Sequence, residues 1–279
     1  MDIISRKFIE QELSMLTKGT ILFVFEGKST EDIIVSSLER HFFGKYDTIK
    51  CVFDAEIYQL YQKLSKSDFS EDLVELLRKR SPENEQILKD YNRDSFAYTY
   101  LFFDYDGHSS LANDQDLMEM LQFFNEETEQ GKLFISYPMI EAIKHYKDIE
   151  TFKSLVVKCK RKNCQSKDIC KTWEECFKEP HYKTFVPTDN DPHMNNLNSY
   201  DQKVWKTLIT ANLCKMNDLV ADTFSLPNIV HPQSEVFAKQ IEKHISNDCP
   251  KVAVLSAFPM FVLDFYGCEK TKAKLQEID

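Results

Sequence analysis

Two uninterrupted apolar runs, each ending in an acid, set the tightest limit on how this chain can fold. Ile21-Leu22-Phe23-Val24-Phe25 runs into Glu26-Gly27, and Tyr98-Thr99-Tyr100-Leu101-Phe102-Phe103 runs into Asp104-Tyr105-Asp106-Gly107. Runs of apolar, β-branched and aromatic residues predict strands buried on both faces, as in a parallel sheet. Carboxylates just past the carboxyl ends of such strands fall in the crevice where open α/β sheets bind ligands. Three of them meeting there repel one another unless a divalent cation neutralises them, and oxygen ligands suit magnesium. The pattern predicts a metal site for phosphate chemistry.

The rest of the chain supports an α/β class. With 279 residues it can bury one substantial core and carry a large insertion. Only 6 glycines argue against a loop-rich β-sandwich and for helices joined by short connections. Further strands are predicted from Tyr46 to Phe53 and from Lys132 to Ser136. Helices are predicted from the Ser29 cap, across 55–91, over Asp114 to Glu129, and from Pro138 at a first helical position to His145. The order from Gly19 to Tyr146 is β-α-β-(αα)-β-α-β-α, and right-handed crossovers make that a small parallel sheet flanked by helices. The spacing also predicts helices over Ile3 to Leu16, Gln202 to Leu219 and Ser234 to Ile245, while Val252 to Tyr266 reads equally as a strand or as a helix interrupted at Pro259. Composition divides the chain into a catalytic domain (1–150), a Lys/Cys-rich insertion (151–200) and a helical C-terminal region (201–279).

The segment Phe25-Glu26-Gly27-Lys28-Ser29-Thr30-Glu31-Asp32 resembles the first motif of the Toprim superfamily. That motif is a hydrophobic strand, a Glu-Gly pair and another acid four positions after the glycine. Phe102-Phe103-Asp104-Tyr105-Asp106-Gly107 resembles the second, an Asp-x-Asp pair. The stretch Ser136-Tyr137-Pro138-Met139-Ile140-Glu141 is similar to the place where OLD-like nucleases add another acid. The resemblance covers roughly the first half of the chain and is closest to the Toprim effector nucleases of the PARIS phage-defence system. It implies a Toprim (Rossmann-like) fold and a magnesium-dependent endonuclease acting on RNA, specifically tRNA. It also implies a toxic effector held at rest by an ABC-type ATPase scaffold and active as a homodimer. Glu26, Asp104 and Asp106 match the motif's metal-binding positions, and Glu141 matches the additional acid.

The residues supply a mechanism of their own. Asp104 and Asp106 are expected to alternate along an extended strand end and reach one side of the sheet edge. With Glu26 they would hold one or two Mg2+ ions, which activate water and stabilise a leaving oxygen. Lys28 is placed to neutralise a scissile phosphate. Glu31 either completes the metal shell or complements a helix N-terminus, and the same alternative applies to Glu141. Lys144 and His145 are near enough to contact substrate, or are ordinary exposed helix residues.

Cys159, Cys164, Cys170 and Cys176, with His181 and His193 downstream, offer enough ligands for a structural zinc (Zn2+) site. Their spacings are wider than paired zinc knuckles, so reduced, buried thiols are the alternative. Lys158, Lys160, Arg161, Lys162 and Lys167 form the best candidate grip on a nucleic-acid backbone, or a solvated face. Trp173 and Tyr182 could stack on bases or simply pack. A net charge of −10 argues against a whole-surface nucleic-acid footprint and leaves only local patches. The charged first eighteen residues lack a signal peptide's apolar stretch, and no apolar window reaches membrane-spanning length, so a cytoplasmic protein is expected. The residues alone leave open a DNA nickase or nuclease and a non-catalytic regulatory subunit. The preference for RNA comes from the resemblance.

Overall fold

The two apolar runs form the centre of a sheet in the computed structural model, which describes residues 19–43, 46–159, 181–247 and 249–278. Strands β1 (Thr20–Phe25), β2 (Thr48–Val52), β3 (Phe96–Asp104), β4 (Asn125–Glu126) and β5 (Gly131–Ser136) lie in the order β2-β1-β3-β5-β4. β1 pairs parallel with β2 and β3, β3 pairs parallel with β5, and the short β4 runs antiparallel to β5. The connections carry helices α1 (Thr30–Leu38), α2 (Ile57–Leu64), α3 (Leu73–Arg78), α4 (Pro82–Leu88) and α5 (Asp114–Phe123). Beyond the sheet come α6 (Ile149–Ser154), strand β6 (Val156–Lys158), α7 (Tyr182–Asp189), α8 (Gln202–Ala221), α9 (Gln233–Gln240), strand β7 (Lys251–Ala253) and α10 (Ala257–Glu277). This is an α/β architecture with a mostly parallel five-stranded sheet flanked by helices, in keeping with a Rossmann-like arrangement.

Alternation along the strands explains why both sheet faces are apolar. One face presents Phe23, Phe25, Tyr100, Phe102 and Phe134, which stand beside one another through the register Phe23↔Tyr100, Phe25↔Phe102 and Phe102↔Phe134. α10 covers that face. The Phe258 ring stacks on Phe102 at 4.8 Å, and Phe261 meets Phe102 edge-on at 5.3 Å and Phe23 at 5.7 Å. α10, from the C-terminal region, therefore packs into the main core.

The stretch that reads as strand or helix contains both. β7 pairs antiparallel with β6, and α10 starts four residues later. Pro259 falls in the first turn of α10, where a missing N–H forfeits no intrahelical bond.

Two other expectations are corrected. No helix starts at Pro138: the Tyr137–Pro138 peptide is cis and only a short 3-10 turn, Ile140–Ile143, follows. α5 ends at Phe123 instead of reaching Glu129, because the Phe124 carbonyl accepts the Leu133 N–H of β5 at 2.9 Å and turns the chain into β4. The expected helix over Ile3 to Leu16 lies outside the described residues.

A candidate metal centre at the carboxyl edge of the sheet

The chain leaves β1 for β2 on one side and returns to β3 on the other, so the winding reverses between β1 and β3. A crevice opens at the carboxyl ends of the strands at such a point. Glu26 follows β1 and Asp104 ends β3, so these two acids flank it. The Asp104 N–H donates to Glu26 Oε2 at 3.0 Å. The Ile140 N–H in turn donates to the Asp104 carboxylate.

Asp106 arrives by a different route from the one expected. β3 stops at Asp104, and Asp106 has φ of 42°, in the left-handed region that aspartate tolerates better than most residues. A turn, not strand alternation, brings it to the edge. Its N–H donates to the Pro138 carbonyl at 3.1 Å, and its own carbonyl accepts the Ser109 N–H at 2.8 Å. The following residue must be glycine, because a Cβ at Gly107 would lie 2.7 Å from the Tyr105 ring and 3.0 Å from Cys159 Cβ. Asp106 is buried, and its Oδ1 has no hydrogen-bond partner. His108 Nδ1 is 3.7 Å away.

Glu141 is also buried, in the turn after β5. Its Oε2 has no hydrogen-bond partner, and its Oε1 lies 3.9 Å from the exposed Lys183 ammonium. Glu31 is buried and bends back so that Oε1 accepts the Gly27 N–H at 2.9 Å, which fixes the Glu-Gly turn. Glu56, just ahead of α2, was missed. It accepts a hydrogen bond from the Ser109 hydroxyl and adds its charge to those felt by Glu26 and Asp106. Its signal was available: Cys51-Val52-Phe53 is another apolar strand end followed by acids, Asp54 and Glu56.

Burial and mutual repulsion dominate the electrostatics. Burial, then the charges of Asp106, Glu31 and Glu56, push Glu26 up to about 8 against the opposing Asp104 N–H. Burial, Glu56 and Glu141 push Asp106 up to about 7. Asp104 is raised well above the usual carboxylate range by burial and then by Glu26, Asp106 and Glu141. Such a group titrates as a set, and a set of this kind is a functional-site signature.

The donor chemistry, and not a closed cage of ligands, is what suits a hard divalent cation. The donors are all oxygen, and two buried carboxylate oxygens, Asp106 Oδ1 and Glu141 Oε2, are unpaired. The carboxylates stand within electrostatic range without being closed around one point. Among the described residues, no three His, Cys, Asp or Glu side chains already form a group that could hold a metal ion.

Other expected site residues lie elsewhere. Lys28 is exposed and its ammonium pairs with Glu83 Oε2 at 2.5 Å, so the expected phosphate contact is not preformed. His145 is buried, not exposed on a helix. Its Nδ1 meets the Tyr182 hydroxyl at 2.9 Å and its Nε2 meets Asp189 at 3.0 Å, and burial holds its pKa below the usual range. Tyr182 is thus engaged in packing edge-on to His145. Of the zinc candidates, Cys159 is buried, His181 and His193 are exposed, and Cys164, Cys170 and Cys176 lie outside the described residues. Lys158 lies in β6, whereas Lys160, Arg161, Lys162, Lys167 and Trp173 lie outside the described residues. The five described cysteines, Cys51, Cys159, Cys214, Cys249 and Cys268, are all buried. Among the described residues no helix is long and apolar enough to cross a membrane.

No protein-family model, no curated protein and no solved structure matches the chain.

Proposed function

We propose that the protein is a magnesium-dependent endonuclease that cuts RNA, specifically tRNA, as a toxic effector of antiphage defence. One observation carries the reading. Glu26 and Asp104 flank the reversal point of a mostly parallel sheet, and Asp106 and Glu141 join them as buried carboxylates with unpaired oxygens. Buried acids that raise one another's pKa are costly, and a hard cation offsets that cost. The order of the acids along the chain, with the resemblance to Toprim effectors, supports phosphodiester hydrolysis, the choice of tRNA, a resting complex with an ABC-type ATPase and an active homodimer.

In this reading Glu26, Asp104 and Asp106 hold Mg2+, and Glu141 stands beside them. Bound there, the ion would supply Lewis acidity for phosphodiester chemistry. The protein orients the donors beforehand: the Asp104 N–H holds Glu26, the Ile140 N–H holds Asp104, and the Glu31–Gly27 bond fixes the turn that presents Glu26. Lys28, just past the Glu-Gly turn, and Lys183, 3.9 Å from Glu141, are exposed cations that can swing to a phosphate.

The test incubates the protein with total cellular RNA, purified tRNA and plasmid DNA, with Mg2+ or with EDTA. Discrete tRNA fragments are expected with Mg2+ alone, and Glu26→Ala should lose them while keeping the native circular-dichroism spectrum. Undiminished cleavage by Glu26→Ala would overturn the metal site. Preferential cutting of the plasmid would overturn the RNA assignment.

A further inference from the structure

A second cleft, of about 470 Å³, lies towards the amino end of the sheet, beside the second half of α10. Tyr100 of β3 lines it, four residues before Asp104, which places the cleft roughly 13 Å from the carboxylate edge at about 3.3 Å per residue. Tyr98 lines it further back along the same strand. The Tyr98 ring stacks on Tyr100 at 6.4 Å and has no second ring contact among the described residues, so one of its faces is left to the cleft.

Tyr100 is 2% exposed, and Phe261 of the core meets its ring at 4.7 Å. Among the described residues its hydroxyl has no hydrogen-bond partner. Burial, then Glu127 and Asp264, raise this phenol well above the usual range, so it remains an O–H donor. Lys270 and Lys274 stand one turn apart on α10 and also line the cleft. The Lys274 ammonium lies over the Tyr266 ring at 4.6 Å, and neither lysine has a carboxylate partner among the described residues. The lining acids do not cancel them. Lys132 holds Asp264 at 2.6 Å and Glu127 at 3.5 Å, and Glu277 is exposed at the rim. The cleft therefore offers a bare aromatic face, a hydroxyl donor without an acceptor and two cations without anions.

We propose that this cleft binds a purine nucleoside 5′-phosphate, its base stacked on Tyr98 and its phosphate held by Lys270 and Lys274. A purine carries ring nitrogens that accept from the Tyr100 hydroxyl, and its π-face suits an aromatic platform. Inorganic phosphate would leave both tyrosines unused, and an uncharged aromatic compound would leave both lysines unused. The volume falls in the range of small-molecule sites, about 300–1,000 Å³. A free nucleotide and an unpaired nucleotide of an RNA chain present the same base, sugar and phosphate, and the test separates the two sources. The site is independent of the carboxylate edge and of any chemistry there.

The test titrates isotope-labelled protein with AMP in EDTA, read by amide shifts in NMR. Saturable shifts are expected at Tyr98, Lys270 and Ala273. Ribose 5-phosphate, which lacks the base, and adenosine, which lacks the phosphate, should each bind at least about ten-fold more weakly. Tyr98→Leu should weaken AMP about ten-fold, and Tyr100→Phe, which keeps the packed ring, about five-fold. The double variant Lys270→Gln, Lys274→Gln should weaken AMP and leave adenosine unchanged. Displacement of AMP by 5′-phosphorylated octaadenylate at a comparable concentration assigns the site to an RNA nucleotide, and failure to displace it assigns the site to a free one. No saturation at roughly ten times a millimolar dissociation constant would overturn the proposal. So would equal binding of ribose 5-phosphate or adenosine by the unaltered protein, or shifts confined to the Glu26 edge.

Discussion

At the scale of single residues, the carboxylates impose a pH dependence whose sign follows from their environment. Glu26 stands at about 8 and Asp106 at about 7 in the folded chain, against ordinary values of 4.5 and 3.8. Between those limits the folded state binds more protons than the unfolded one, so stability falls as pH rises. The contribution is complete below the ordinary values and is lost as pH passes through the folded ones. The melting temperature of EDTA-treated protein should therefore fall between about pH 5 and pH 8, and Glu26→Gln should flatten the fall. Added Mg2+ should stabilise more at pH 8 than at pH 5, because the ligands must be deprotonated to bind it. A melting temperature that rises across this window in the metal-free protein would contradict the burial of these acids. Four of the acids were legible in the sequence because each sits at or just past the end of an apolar run. Glu56 carried a weaker signal of the same kind, because the run before it, Thr48–Val52, includes Lys50 and is only partly buried. The pairing of Lys28 with Glu83 was not legible, because the two are distant in sequence and close only once α4 has folded.

At the scale of elements, period and apolar length identified the strands and most helices, and tertiary contacts moved their ends. Nothing local in Asp114 to Glu129 announces that Leu133 will capture the Phe124 carbonyl, so the helix read too long. Pro138 suits a helix start by its fixed φ, but the following backbone is committed elsewhere. The Pro138 carbonyl accepts from Asp106, and Tyr137 exchanges hydrogen bonds with Leu255 at 2.8 and 3.0 Å. α10 invites the sharpest test at this scale. Phe261 touches the rings of Phe23, Tyr100, Phe102 and Phe134 and is fully buried. Phe261→Ala should cost about 3–5 kcal/mol by emptying that site, measured by urea denaturation. A loss below about 1 kcal/mol would mean that α10 is not a structural layer.

At the scale of the whole molecule, the apolar runs required cover on both faces of the sheet, but they could not say which helices supply it. Composition suggested a boundary near residue 200, yet the core joins β1 and β3 to α8 and α10 without a break. A chain truncated before Lys251 should therefore show no cooperative thermal transition and should bind hydrophobic dye. A two-state melt of that fragment would restore the separate-domain reading.

The paired bonds between Tyr137 and Leu255 also bear on the order of synthesis. The ribosome releases Tyr137 and Glu141 long before Leu255, so the loop that carries Glu141 lacks this pair of bonds while the chain is being made. An acid edge completed by a segment near the end of the chain is assembled only when translation is nearly done.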